Sequence, residues 1–300
     1  LGNEGEPLLR CLGGDDNLDE QKYPNLVDPG MVDRLAQVCA LAKTNHLKVF
    51  VTLLVGWMSG TAFEPPFSRG RNMYTDPTLL RYQVMLLQYI ARRMPNDPAI
   101  LAWDLGSGQS CFQAAPSVDA AWQWIYLMSS TLRQNDPNHP VICGMHGLGT
   151  TRQASQSSPT GRFLIRDVAE HTDCLTIHPF PDFLPVAQDP PLDPRATFIA
   201  SWQAKLYAGL GKMPVLVEEL GTLGEAAMSP EVCADYTRRS LYSLLGAGVT
   251  GVLWRCHSDY SDSSQVPFRI NLMGNNGLGL HDAAGNLKPV GRVFHEFAQD

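Results

Sequence analysis

The stretch Met213-Pro214-Val215-Leu216-Val217-Glu218-Glu219-Leu220-Gly221 decides how this chain is read. A proline opens an apolar run of strand length, and the run ends in two adjacent carboxylates and a glycine. Side chains alternate along a strand, so the two acids face opposite ways. If Val215 and Val217 fill an interior, Glu219 points inward with them and Glu218 points outward, toward covering helices. An inward carboxylate at the C-terminal end of a strand is costly unless it is used or well paired. Glu219 is therefore read as the functional acid and Glu218 as a structurally paired one.

Five more apolar runs resemble this one: Lys48–Val55, Ile100–Leu105, Pro140–Gly144, Asp173–Ile177 and Thr250–Trp254, with Pro7–Leu12 a weaker seventh. Nearly continuous Val, Ile, Leu and Ala is the pattern of strands covered on both faces. Helical stretches lie between them, predicted over Pro29–Asn45, Asp76–Met94, Ser117–Gln134, Pro194–Leu210, Ser229–Leu245 and Leu287–Ala298. Ser229-Pro230-Glu231 is a capping hydroxyl, a proline and a first-turn acid, which together open a helix. Strict strand–helix alternation implies a parallel sheet, either closed as a (β/α)8 barrel or open and doubly wound. An open nucleotide-binding sheet carries a glycine-rich phosphate turn after its first strand. Neither GxGxxG nor GxxxxGK[ST] occurs, and the loops after strands are long, as at 57–76 and 256–280. The expected fold is α/β, a single (β/α)8 TIM barrel domain over residues 1–300. A phosphate- or nucleotide-dependent barrel enzyme finds no support.

Polar and aromatic residues gather at the predicted strand ends: Trp57, Asp104, Ser107, His146, His178, Phe180, Glu219, Trp254. A parallel barrel brings such ends to one mouth. Carboxylates, imidazoles and indoles together suit a sugar, because indole faces stack on pyranose rings. Taken singly, a strand-end histidine is more often a hydrogen-bonded rim residue, and a tryptophan is as often core as platform. His257 and Asp259 read as polar loop residues rather than metal ligands.

Composition narrows the function. The chain has 300 residues, 44% hydrophobic and 18% charged, which is ample apolar material for a core. Thirty acidic against 23 basic residues give a net charge of −7, and the basic residues are scattered. Nucleic acid is therefore not an expected partner, and no run reaches the roughly 18 apolar residues of a membrane span. The seven cysteines, at 11, 39, 111, 143, 174, 233 and 256, show no CxxC or Cys/His spacing, and an odd count argues against a full disulfide framework. No metal or cofactor is expected. The chain opens on Leu and shows no secretion signal, which leaves compartment open, as the sequence leaves oligomeric state.

Several stretches together resemble the cellulase/mannanase-type retaining β-glycosidases, in the (β/α)8 clan that includes glycoside hydrolase family 5. They are 51–60 (VTLLVGWMSG), 71–77 (RNMYTDP), 97–106 (DPAILAWDLG) and 213–221 (MPVLVEELG), with 279–289 (GLHDAAGNLKP) similar to that group's closing segment. The resemblance covers roughly residues 48–298. It implies a nucleophile at Glu219. It also implies an acid/base glutamate after the fourth strand, in a Trp-(Glu/Asp)-Leu-Gly-Asn-Glu-Pro pattern. This chain instead reads Trp103-Asp104-Leu105-Gly106-Ser107-Gly108-Gln109, so glycine replaces the acid/base glutamate at 108. Retaining hydrolysis uses two carboxyls about 5–5.5 Å apart, one as nucleophile and one as acid and then base. Glycine does neither. The tyrosine expected beside the nucleophile is Phe180, in His178-Pro179-Phe180.

In the resemblance's strand count, Pro7–Leu12 becomes strand two, with Arg10 at the place of a site arginine, and the barrel's first strand and helix have no counterpart. Leu1-Gly2-Asn3-Glu4-Gly5-Glu6-Pro7 echoes the missing Asn-Glu-Pro motif without a preceding strand. The functional expectation is a glycosidase-like protein acting on or binding a β-linked glycan of the cellulose or mannan type. Its hydrolysis is expected to be weak, with Arg10, Trp57, Ser107, His146, His178, Phe180 and Trp254 contacting an oligo- or polysaccharide. The rival expectation is a non-catalytic glycan-binding protein on the same scaffold.

Overall fold

The computed structural model describes residues 27, 29–55, 57–58, 61–62, 68, 70–107, 113–144, 147–153, 160–180, 189–225, 228–259 and 277–300. Pro7–Leu12, Arg10, Glu4, Glu6, Gly108, Gln109 and His146 lie outside the described residues. The chain divides into two compact units, residues 1–58 with 62–175, and 59–61 with 176–300.

In the first unit the order is α1 (Pro29–Thr44), β1 (Val49–Thr52), β2 (Trp57–Met58), β3 (Thr61–Ala62), α2 (Pro77–Arg93), β4 (Ile100–Asp104), α3 (Val118–Asn135), β5 (Val141–Ile142) and α4 (Ile165–His171), the unit boundary falling within the short β3. β1, β4 and β5 form a three-stranded sheet in that order, all parallel, with Val51 opposite Trp103 and Trp103 opposite Val141. Capping sets the helix starts. Asp76 Oδ1 accepts from the Thr78 and Leu79 N–H groups at 3.0 Å each, with Pro77 next, and Ser117 Oγ accepts from Ala120 N–H at 3.0 Å. The apolar stripes Leu79, Leu86, Leu87 and Ile90 of α2 and Trp124, Ile125, Met128 and Leu132 of α3 are buried. The two helices pack on each other. Trp124 Nε1–H donates to Gln83 Oε1 across them at 2.8 Å, so the buried indole keeps its hydrogen bond.

The second unit takes in β6 (Leu175–Ile177, its first residue at the boundary), α5 (Pro194–Gly211), β7 (Val215–Leu220), α6 (Pro230–Ala247), β8 (Gly251–Trp254) and α7 (Pro289–Phe297). Its sheet runs β6-β7-β8, with β7 and β8 parallel and Val217 opposite Val252. Ser229 Oγ accepts from Val232 N–H at 3.3 Å, as the Ser-Pro-Glu opening requires, and α6 stops at Gly248 with φ +79°. The interior positions of β7 are closed: Val217 is fully buried and Val215 nearly so.

The six expected strands and six expected helices described here all form, with ends displaced by a few residues. Four elements had no sequence expectation, one of them a single 3-10 turn at Thr160–Arg162. Strands β2 and β3 are two residues each, too short for any periodicity to register. Helix α4 has seven residues and opens on Leu164, which makes no side-chain cap bond.

Candidate active site

Glu218 and Glu219 leave β7 on opposite faces, as strand alternation requires. The deeper acid is Glu218. Its Oε2 lies 3.1 Å from His178 Nε2, and the histidine side chain is wholly buried. This matches the structural pairing expected of Glu218, and it gives the imidazole of His178 a carboxylate partner other than Glu219. The geometry holds the histidine against β7 rather than presenting that nitrogen to a ligand.

Glu219 is the more open acid, its side chain 22% exposed. Arg255 Nη1 donates to Glu219 Oε2 at 3.2 Å. Arg255 is placed by the backbone: one residue beyond β8, its N–H donates to the Leu220 carbonyl at 2.9 Å and carries the parallel ladder past the strand. Its guanidinium carbon lies 5.9 Å from the centroid of the Phe180 ring, within cation–π range. Phe180 is buried, and its N–H closes on the His178 carbonyl at 2.9 Å, a tight turn at the end of β6. The ring lies against Gly221, where a Cβ would come within 2.4 Å of Phe180 Cε1. Only glycine leaves room for it.

Trp254 ends β8, but its indole goes elsewhere. Nε1–H donates to the Leu278 carbonyl at 2.8 Å, and the ring meets Phe294 of α7 edge-on at 5.5 Å. The residue that the structure brings to Glu219 from this strand end is Arg255, just past β8, a neighbour that sequence reasoning passed over for the indole. Trp57 lies on β2.

Behind this corner lies a buried cation. Lys288, at the N-cap of α7 and 7% exposed, reaches Glu225 Oε1 at 3.0 Å and Asp259 Oδ2 at 2.9 Å. Burial works to lower the Lys288 pKa, but the two carboxylates outweigh it and hold it above its usual 10.5. Asp259 Oδ1 also accepts from Gly277 and Gly279 N–H at 3.1 and 2.7 Å, fixing that loop. Asp259 thus serves Lys288 and two backbone amides. His257 instead stacks on His281 at 4.6 Å. Among the described residues no group of three or more metal-ligating side chains is present. Burial pushes the Cys256 thiol up, away from a reactive thiolate. None of the five described cysteines is in a disulfide.

The end of β4, in the first unit, is built differently. Asp104 is fully buried. Its Oδ1 accepts from Gly106 N–H at 3.1 Å and Gly144 N–H at 2.9 Å. This carboxylate ties the turn after β4 to the end of β5. Ser107 follows it, half-buried.

No family model matches the chain. It is 26% identical over 149 residues to a probable mannan endo-1,4-beta-mannosidase F of Aspergillus flavus, a match covering 48% of this chain and 32% of that protein. It is 25% identical over 266 residues to a putative mannan endo-1,4-beta-mannosidase 9 of Oryza sativa subsp. japonica, covering 78% of this chain and 64% of that one. The chain therefore spans a third to two thirds of the length of these curated relatives. In structure it is similar to a GH5_18 protein from Streptomyces cattleya crystallised with Manβ1-4GlcNAc, with TM-score 0.83 and 21% identity, covering 98% of this chain and 70% of that one. The fold is that of the (β/α)8 glycoside hydrolases, and the resemblance to the cellulase/mannanase type stands.

Proposed function

We propose that this chain acts on or binds a β-linked glycan of the mannan type, as a retaining-glycosidase-like domain over residues 1–300 with Glu219 in the nucleophile position. The observation that carries the reading is Glu219 itself. In a chain similar to mannan endo-1,4-beta-mannosidases, it is a partly exposed carboxylate at the C-terminal end of a parallel strand, paired with the guanidinium of Arg255. A charged carboxylate is what attack on an anomeric carbon needs. Arg10, Trp57, Ser107, His146, His178, Phe180 and Trp254 are the proposed sugar-contacting set. His178 is the weakest of them, because its side chain is wholly buried and paired with Glu218, and the N–H and one ring edge of Trp254 are also engaged.

With glycine at 108, the leaving oxygen receives no proton from that position and water is not activated there. Loss of general acid/base help costs about 10²–10⁴ in rate. Ordinary glycans are therefore poor substrates. Aryl glycosides with activated leaving groups escape the first deficit, since the phenolate departs with the bonding electron pair and needs no proton. The second reading is glycan binding without turnover, favoured by the same glycine and by the ion pair that occupies Glu219.

The two readings part in one experiment. Hydrolysis of an activated aryl β-mannoside is followed with and without azide, and manno-oligosaccharide binding is measured by calorimetry, for the protein and for Glu219→Ala. The first reading expects slow turnover, acceleration by azide with a β-mannosyl azide as product, and loss of both in the variant. Binding alone, unchanged in Glu219→Ala, establishes the second. Neither turnover nor binding overturns both.

A further inference from the structure

We propose that Arg255 is a positioning residue for Glu219, held in place by the ring of Phe180, which Gly221 admits. The inference rests on the proposed role of Glu219 and adds the device that aims it. A carboxylate nucleophile must stay charged and must present one oxygen along a defined line. The hydroxyl that the family resemblance leads one to expect beside the nucleophile is absent, because residue 180 is phenylalanine. A ring without a hydroxyl donates no hydrogen bond to the acid.

The ring acts at one remove instead. Its face offers the guanidinium of Arg255 a site 5.9 Å from the centroid. The guanidinium in turn donates to one oxygen of Glu219 at 3.2 Å. Three placements support one another. The Arg255 backbone is bonded to Leu220, the residue after Glu219. The Phe180 ring lies where a Cβ at 221 would be. Both ion-pair side chains are 22% exposed, dry enough for the charges to matter and open enough for a ligand to reach them. The other charged groups of this corner are engaged nearby: Glu218 with His178 on the far face of β7, and Lys288 with Asp259 and Glu225.

Lysine in place of Arg255 would keep the charge but lose the flat guanidinium that lies over the Phe180 ring, so arginine is the residue this arrangement needs. A merely structural salt bridge would tolerate the exchange.

The test has two arms on the full chain. The first is independent of glycosidase activity: carbodiimide labelling of Glu219, located by peptide mass mapping, in the protein and in Arg255→Gln, Arg255→Lys and Phe180→Leu. Release of the acid from the guanidinium is expected to speed labelling several-fold in Arg255→Gln, and less in the other two. Equal labelling in all four overturns the proposal. The second is turnover of the activated aryl β-mannoside. Arg255→Gln is expected to lower kcat by about 10²-fold with KM little changed, Arg255→Lys to recover part, and added guanidinium to restore Arg255→Gly. Turnover indifferent to Arg255→Gln overturns the proposal. If the unaltered protein turns nothing over, the glycosidase reading fails, and the labelling arm alone decides whether Arg255 holds Glu219.

Discussion

The ends of β4 and β7 each carry a carboxylate, and the two are satisfied in opposite ways. Asp104 is sealed from water and takes its hydrogen bonds from the backbone of Gly106 and Gly144. Glu219 is partly open and is held by a side chain, Arg255. Backbone amides cannot move without unfolding a turn, so Asp104 is a fixture of the loops around it. A guanidinium on a side chain can swing and can yield to a ligand. On the proposed reading, the strand-end acid paired with a side chain near solvent is the one that reacts, and the acid held by buried backbone amides is a clamp.

Four substitutions break or sharpen this contrast. The largest effect on stability is expected from Asp104→Ala, which strands two backbone N–H groups and costs about 2–4 kcal/mol in urea unfolding. A loss under about 1 kcal/mol would make Asp104 dispensable and the contrast false. Next is Lys288→Met, which leaves Asp259 and Glu225 without their cation and costs about 2–3 kcal/mol. The lysine's raised pKa gives a sign to check. Its contribution is fully present below the usual 10.5 and is lost as pH rises through the higher folded value. Unfolding of the unaltered protein should steepen in that alkaline range, and the variant should lack the steepening.

Asp136 in the first unit supplies the acid-side counterpart. It accepts from Trp103 Nε1–H at 2.9 Å and pairs with His139 Nδ1 at 2.5 Å. Burial works to raise its pKa, but His139, Trp103 and the Asn138 amide hold it below the usual 3.8. Its stabilisation is present above 3.8 and lost as pH falls through the lower folded value. Asp136→Asn should cost about 1–2 kcal/mol near neutrality and flatten the acid limb, as read by circular dichroism against pH. The smallest effect is expected from Glu219→Gln. An ion pair that solvent still reaches is worth under about 1 kcal/mol, and added salt should reduce even that. A larger loss would make Glu219 a structural acid like Asp104.

Local chemistry carried most of what the sequence announced. The helix starts at Asp76, Ser117 and Ser229 were legible because a capping side chain bonds within three residues of itself. The strands of the β-α alternation were legible as continuous apolar runs, although the burial on both faces that such runs imply is incomplete, with Leu101 of β4 and Leu253 of β8 exposed. Glu219 stood out because a carboxylate ending such a run needs an explanation. Arg255 did not, although it is next to Trp254 in sequence. Its partners Glu219 and Phe180 come from other strands, and no local pattern encodes which of two neighbours at a strand end turns toward them. The same holds for Lys288, whose meeting with Glu225 and Asp259 joins three separate loops. Gly221 carried a signal only in hindsight: a glycine directly after a strand marks a place where something approaches closely, here the Phe180 ring.

The most direct test of the central claim is to trap the nucleophile. A 2-deoxy-2-fluoro mannosyl fluoride needs no acid to expel fluoride, so glycine at 108 does not protect the protein from it. The protein should gain the mass of one fluorosugar, and peptide mapping should find the ester on Glu219. An adduct on another side chain, or none after prolonged incubation while manno-oligosaccharide still binds, would contradict the assignment of Glu219 as the attacking group.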